Sequence, residues 1–340
     1  MFNTNGFVRM IMWGGLATAI LTGCNQPASN SADNVKDDKT ASTDIKQVSI
    51  TAIVEHPALD DVRKGIILEL KDQGFEEGKN LELRFQSAQG SPATAGQISK
   101  QYVGENPDVI VAISTPSAQS IVSATNTIPV VFSAVTDPVT AKLVPNLGAS
   151  GTNVTGATNA MPYEPQIDLM KEAIPNLKNV GYVYSPGEVN STVILKNLKE
   201  RLAPMGITIH DAPAQRSNEI HQAALSLANK VDMIYVSNDN GVVSAFESLA
   251  QVASENKIPI IAQDTDSVKR GAAVALGVNY LDLGRETGKI VSRILKGEKP
   301  GSIPIYRPQN LSLFVSPNHA AEQGFKLPQS VIDKADKVIE

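Results

Sequence analysis

A run such as Val109-Ile110-Val111-Ala112-Ile113 is too short for a helix and shows no polar alternation. It reads as a strand buried on both faces, the condition of a parallel sheet covered by helices. The chain repeats this device. From residue 47 a β-rich run (48–54) is broken by His56-Pro57. Leu59, Val62, Ile66, Ile67 and Leu70 then recur at helical spacing, and Gly74 closes the helix. Strands are predicted at 81–85, 109–113 and 129–132, with helices near 94–103 and 116–124. After Gly156 the rhythm restarts. Strands at 180–184, 207–210, 231–236 and 258–262 alternate with helices at 164–174, 191–202, 219–228 and 242–253. Such alternation specifies α/β architecture with parallel sheets.

The two halves also resemble each other. Pro107-Asp108-Val109-Ile110 and Ile128-Pro129-Val130-Val131 are echoed by Val231-Asp232-Met233-Ile234 and Ile258-Pro259-Ile260-Ile261. Two similar lobes account for 340 residues, more than one ordinary domain. Beyond them, 273–278 reads as a strand, 279–295 as a helix, and 303–306 and 311–315 as short strands, and the residues after Pro317 read as at least one helix ending within 331–339.

Composition narrows the function. With 30 basic and 35 acidic residues the net charge is −5, so no basic face for nucleic acid is expected. A single cysteine, Cys24, excludes a disulfide framework, a cysteine-rich zinc site and an iron–sulfur cluster. No metal site and no cofactor are expected. Gly151-Thr152-Asn153-Val154-Thr155-Gly156 has the wrong spacing for dinucleotide binding, and Gly284–Ile290 falls short of a phosphate loop. The four histidines, His56, His210, His221 and His319, are scattered. No enzyme is indicated.

The N-terminal segment reads as an address. Arg9 precedes an apolar run, 10–21, that is shorter than a bilayer span. Leu21-Thr22-Gly23-Cys24 resembles the bacterial lipobox, which implies cleavage after residue 23 and a lipid on Cys24. Residues 24–46 lack aromatic residues and apolar periodicity, and read as a flexible tether. An extracytoplasmic body anchored to a bacterial membrane is expected.

Candidate binding residues fall at strand-to-helix loops, because open parallel sheets bind ligands beyond the C-terminal ends of their strands. Ser114, Thr115 and Ser117 surround Pro116 at a helix start, where free amides attract a carboxylate. Asp137 precedes Pro138 and reads equally well as a helix cap or as a partner for an ammonium. Asn238, Asp239 and Asn240 crowd one strand end, and Asp264 another. His56 ends the first strand. Tyr184 ends the first strand of the second lobe, where its ring suits an apolar ligand.

Taken with the lipobox and the tandem lobes, several segments resemble ABC transporter substrate-binding proteins of the tryptophan/tyrosine type. They are 54–60, 88–90, Ser114-Thr115-Pro116-Ser117-Ala118-Gln119, 132–139, Asn153-Val154-Thr155-Gly156 and 236–240. The usual residue before Thr-Pro in that family is glycine; here it is Ser114. The resemblance implies a type I periplasmic-binding fold. Lobe 1 would comprise 47–157 plus 279–312 and lobe 2 would comprise 158–278 plus 313–340, each a parallel sheet with helices on both faces. It implies a receptor that closes on an amino acid, aromatic and tryptophan-like in the reading taken here, and hands it to an ABC permease; a monomer is expected. An aliphatic amino acid or another small polar ligand, or a sensor role beside a membrane kinase, remain as alternatives at this point.

Overall fold

The apolar run at 109–113 forms the middle of a sheet. The structure, a computed structural model, describes residues 45–340; the expected signal segment, Cys24 and most of the tether lie outside them. Strands β1 (Lys46–Ala52), β2 (Leu81–Ser87), β3 (Val109–Ile113), β4 (Val130–Val135) and β5 (Val154–Thr158) alternate with helices α1 (Pro57–Asp72), α2 (Pro92–Glu105) and α3 (Thr115–Ala124) up to β4. They pair in the order β2-β1-β3-β4-β5, every pair parallel. All five residues of β3 are buried, as its unbroken apolar sequence requires. Sequence periodicity missed β5, because Val154-Thr155-Gly156-Ala157-Thr158 lacks the large apolar side chains that mark a strand.

The second sheet is built from α4 (Tyr163–Ala173), β6 (Asn179–Tyr184), α5 (Val189–Leu202), β7 (Thr208–Pro213), α6 (Ile220–Ser226), β8 (Met233–Val236), α7 (Asn240–Ser244), α8 (Phe246–Glu255), β9 (Ile260–Ala262) and β10 (Val274–Gly277). The chain then enters α9 (Tyr280–Leu295), which packs on α1 beside the first sheet. Gly65 and Gly284 set that contact: a Cβ on Gly284 would lie 2.2 Å from the Val62 carbonyl oxygen. The chain finally returns to the second sheet through β11 (Ser312–Val315), α10 (Pro317–Glu322), α11 (Gln329–Asp333) and β12 (Lys337–Val338). The order is β12-β11-β10-β9-β8-β6-β7.

This sheet departs from expectation in one respect. It is not wholly parallel: β11 runs antiparallel to β10, and β12 follows β11. The reversal arises because the chain re-enters from the first lobe rather than through a crossover helix on the second. Two local readings also change. The helix expected at 242–253 breaks at Ala245, whose φ of −115° and ψ of 28° let Phe246 turn into the core. Residues 303–306 form bridges to Ala149 and Ala157 beside β5 rather than a regular strand. From Pro317 the chain forms two helices, α10 and α11, and α11 ends at Asp333, within the expected segment. Asp336 accepts the Leu313 amide at 2.7 Å and its own amide donates to the Leu313 carbonyl, which pulls the chain end into the sheet.

Candidate functional site

Each sheet sends its C-terminal loops toward one cleft. From the first lobe come His56 at the start of α1, the start of α3, and Ala134 in β4; Tyr280 joins them from α9. From the second come Asn190 on α5, Asn238 and Asn240 after β8, and Asp264 after β9. Together with Leu59, Asn159 and Val243 they line a narrow cavity whose free volume is only about 10 Å³.

The polar atoms around this cavity are unusual. Buried polar groups are hydrogen-bonded in most proteins, because stranding one costs roughly 1–3 kcal/mol. Here the hydroxyls of Ser114, Thr115 and Ser117, the His56 Nδ1, the Asn190 Oδ1 and the Asn238 Nδ2 are all buried without a partner. The three hydroxyl-bearing residues are at most 2% exposed. They sit at the first turn of α3, whose capping residue, Ser114, makes no side-chain capping bond. Pro116 lacks an amide hydrogen, while the remaining first-turn amides lie outside the helical ladder. The first lobe therefore offers donors. Ser114 holds φ 77° and ψ 160°, a conformation suited to glycine, which gives a physical reason for the glycine usual at this place.

The second lobe offers acceptors, braced from behind. Asp264 caps the turn after β9, accepting from the Asp266 amide and the Ser267 hydroxyl. Burial, with Asp266 nearby, pushes its carboxyl up to about 6. His56 is driven the other way, down to about 3, chiefly by burial and secondarily by Arg270, so it stays neutral. Tyr280 links the halves: its hydroxyl receives the Asn159 Nδ2 and donates to the Asn238 Oδ1, both at 3.1 Å.

Not every expected residue is in this cavity. His56, Thr115, Asn238, Asn240 and Asp264 line it, and Ser114 and Ser117 flank it on α3. Asp239 does not. Its carboxylate accepts the Ser185 amide and hydroxyl and caps the Val242 amide, so its oxygens point into the loop. Tyr184 is also away from it; its ring packs 6.1 Å from that of Tyr182. Asp137 caps its own turn through Val139 and Thr140 and borders a second cavity of about 260 Å³. That cavity meets the first at Asn159 and Asn238, and its walls include Leu147, Met161, Tyr163 and Ile194.

Asn190, Asn159, Tyr280 and Glu188 were missed. Glu188 follows Pro186-Gly187, which reads as a solvated turn. Its carboxylate instead receives the Asn190 side chain, the Asn240 amide and side chain, and the Gly241 amide. Among the described residues no cluster of His, Cys, Asp or Glu is arranged to hold a metal ion, and no helix is long and apolar enough to cross a membrane.

A cleft between two α/β lobes, lined by donors on one side and acceptors on the other, is the arrangement of a solute-binding protein. The chain belongs to the ABC transporter substrate-binding protein family, which it matches over residues 47–339. This is a family of ligand binders, not enzymes, that work outside the cytoplasm with a membrane transporter. The chain is 37% identical over 305 residues to a tyrosine-binding protein of Clostridioides difficile, covering 90% of this chain and 88% of the relative. An ABC domain from Streptococcus pneumonia in complex with L-Trp superposes with a TM-score of 0.83 at 32% identity, covering 87% of this chain and all of that one (100%). A ligand-free, open substrate-binding protein with adhesive properties from Clostridium difficile gives 0.65 at 36% identity, covering 87% and 99%. At comparable identity, the lobes are thus arranged more like those of the L-Trp complex than those of the open protein. The fold is the two-lobe periplasmic-binding architecture.

Proposed function

We propose that this chain is the lipid-anchored receptor of an ABC importer and that it captures an aromatic amino acid between its lobes, 47–157 with 279–312 and 158–278 with 313–340. The observation that carries this reading is the set of four buried, unpartnered polar atoms on residues that line the narrow cavity, His56, Thr115, Asn190 and Asn238, with the unpartnered Ser114 and Ser117 hydroxyls beside Thr115 at the start of α3. The amino acid's carboxylate accepts from the Ser114, Thr115 and Ser117 hydroxyls at the start of α3. Its ammonium donates to the Asn190 Oδ1 and faces Asp264. Its ring extends past Asn159 and Asn238 into the wider cavity, toward the apolar side chains of Met161 and Ile194 and the ring of Tyr163. Tyr184 and Asp239 take no part in contact, and Asp137 borders only the ring's end. Binding bridges the lobes and favours the closed arrangement. The relatives that carry tyrosine and L-Trp support the aromatic class.

The only tryptophan, Trp13, precedes Cys24, so protein cleaved there contains none. Tryptophan-selective emission then reports ligand alone. Titration with L-tryptophan should give a saturable blue shift as the indole leaves water, and calorimetry should detect L-tyrosine. Silence for both, with binding of leucine, moves the ligand to the aliphatic class. For the anchor, Cys24→Ala should leave the protein unprocessed or release it from the membrane fraction; wild-type protein that is already fully soluble contradicts lipidation.

A further inference from the structure

Among the described residues, Glu188 is the one carboxylate near the cleft that receives four N–H groups at once. Its Oε1 accepts from the Gly241 amide at 3.0 Å. Its Oε2 accepts from the Asn190 Nδ2 at 2.9 Å, the Asn240 amide at 3.1 Å and the Asn240 side-chain nitrogen. Asn190 Nδ2 also donates to the Asn238 carbonyl at 2.8 Å. With its nitrogen so committed, Asn190 must turn its Oδ1 the other way, and that oxygen is buried without a partner at the cavity. We infer that Glu188 is a positioning residue that presents the Asn190 oxygen to the ligand's ammonium and makes capture depend on pH. The inference rests on the amino-acid reading of the cleft.

The ionised form is the one that fits. A proton on Oε2 would confront the three N–H groups that already point there, and one on Oε1 would weaken its hold on the Gly241 amide, so the neutral acid loosens the loop 238–241. Burial, reinforced by the charge of Asp239, pushes Glu188 up to about 7. Asp239 faces it from the β8–α7 loop. The α3 segment packed near α5 carries no charged residue, nor does β6. Arg216 and Glu219, beside α7, are exposed to solvent. His56 and Asp264 share the cavity; His56 stays neutral, and Asp264 titrates near 6. An arriving ammonium favours ionised Glu188, so binding expels the proton that the free protein holds near neutrality.

The test is calorimetric titration of the full chain with L-tryptophan and L-tyrosine at pH 8 and pH 6. Wild-type affinity should be about twenty-fold weaker at pH 6, about ten-fold from the fall in ionised Glu188 and about two-fold from Asp264. Glu188→Gln should bind weakly at both, with about a two-fold residue of pH dependence from Asp264. Equal wild-type affinity at the two pH values overturns the role of Glu188 and leaves the amino-acid reading intact. A Glu188→Gln protein that keeps the wild-type slope also overturns it. Absence of binding by either amino acid at either pH overturns both. Should Glu188→Gln fail to fold, wild-type titrations at pH 7 in buffers of different ionisation heat decide: release of about half a proton per ligand supports the inference, and none refutes it.

Discussion

The two faces of the cleft solve the same geometrical problem in opposite ways. On the first lobe, the start of α3 leaves three hydroxyls buried and unpaired, on Ser114, Thr115 and Ser117, and Ser114 also carries the backbone strain. On the second, Glu188 and Asp239 saturate the loop 185–190 and the loop 237–242 with hydrogen bonds before any ligand arrives. One face stores unmet hydroxyl donors; the other is braced by internal hydrogen bonds and leaves only the Asn190 Oδ1 and the Asn238 Nδ2 unmet at the cavity. The difference teaches where binding energy arises. Donors that are unsatisfied in the free protein gain most when a carboxylate reaches them, whereas the braced face fixes orientation at little further cost.

Substitutions should separate the faces. The largest effect is expected on the braced side. Asp239→Ala strands the Ser185 and Val242 amides in a buried loop and should cost about 3 kcal/mol in denaturant unfolding. A cost below about 1 kcal/mol would mean that the loop is held by other contacts. Next comes the helix pair that seats α9 on the first lobe. Gly284→Ala drives a methyl into the Val62 carbonyl and should destabilise by about 2 kcal/mol; an unchanged unfolding midpoint contradicts the close α1–α9 contact.

Acidity sharpens the comparison further. Glu188 and Asp264 are raised to about 7 and about 6, so the folded protein holds their protons longer than the unfolded chain. Stability from these two is full at low pH and is lost as pH rises through those values. His56 is lowered to about 3, and its contribution is present above the usual histidine range and lost as pH falls. Two acids outweigh one imidazole, so ligand-free stability should fall by roughly 1 kcal/mol from pH 5 to pH 6.5. In Glu188→Gln the same scan should be nearly level. The smallest effect is expected at Ser114→Gly. Relief of the backbone strain should stabilise the free protein by about 1 kcal/mol or less, read as a raised melting temperature.

Much of the fold was legible because the parallel strands advertise themselves. Residues 109–113 and the helix from 280 fall where apolar runs and periodicity place them. The antiparallel return of β11 and the pairing of β12 were not legible, since both depend on where α9 delivers the chain. The site was half legible. Small polar residues at strand ends mark the cleft, but a sequence does not say whether an Asp caps its own helix or faces a ligand. Asp239 and Asp137 turn inward as caps, whereas Asp264 caps and still borders the cavity. Glu188 was invisible because its partners, Asn240 and Gly241, lie more than 50 residues away in the chain and fold over it only in three dimensions.

The central claim is that the unpaired hydroxyls of α3 exist for a ligand and not for the fold. Thr115→Val and Ser117→Ala remove hydroxyls that have no protein partner. Both variants should therefore match or exceed wild type in thermal stability while losing about ten-fold in affinity for L-tryptophan or L-tyrosine by calorimetry. Variants that bind as tightly as wild type, or that lose stability while keeping affinity, would contradict the claim.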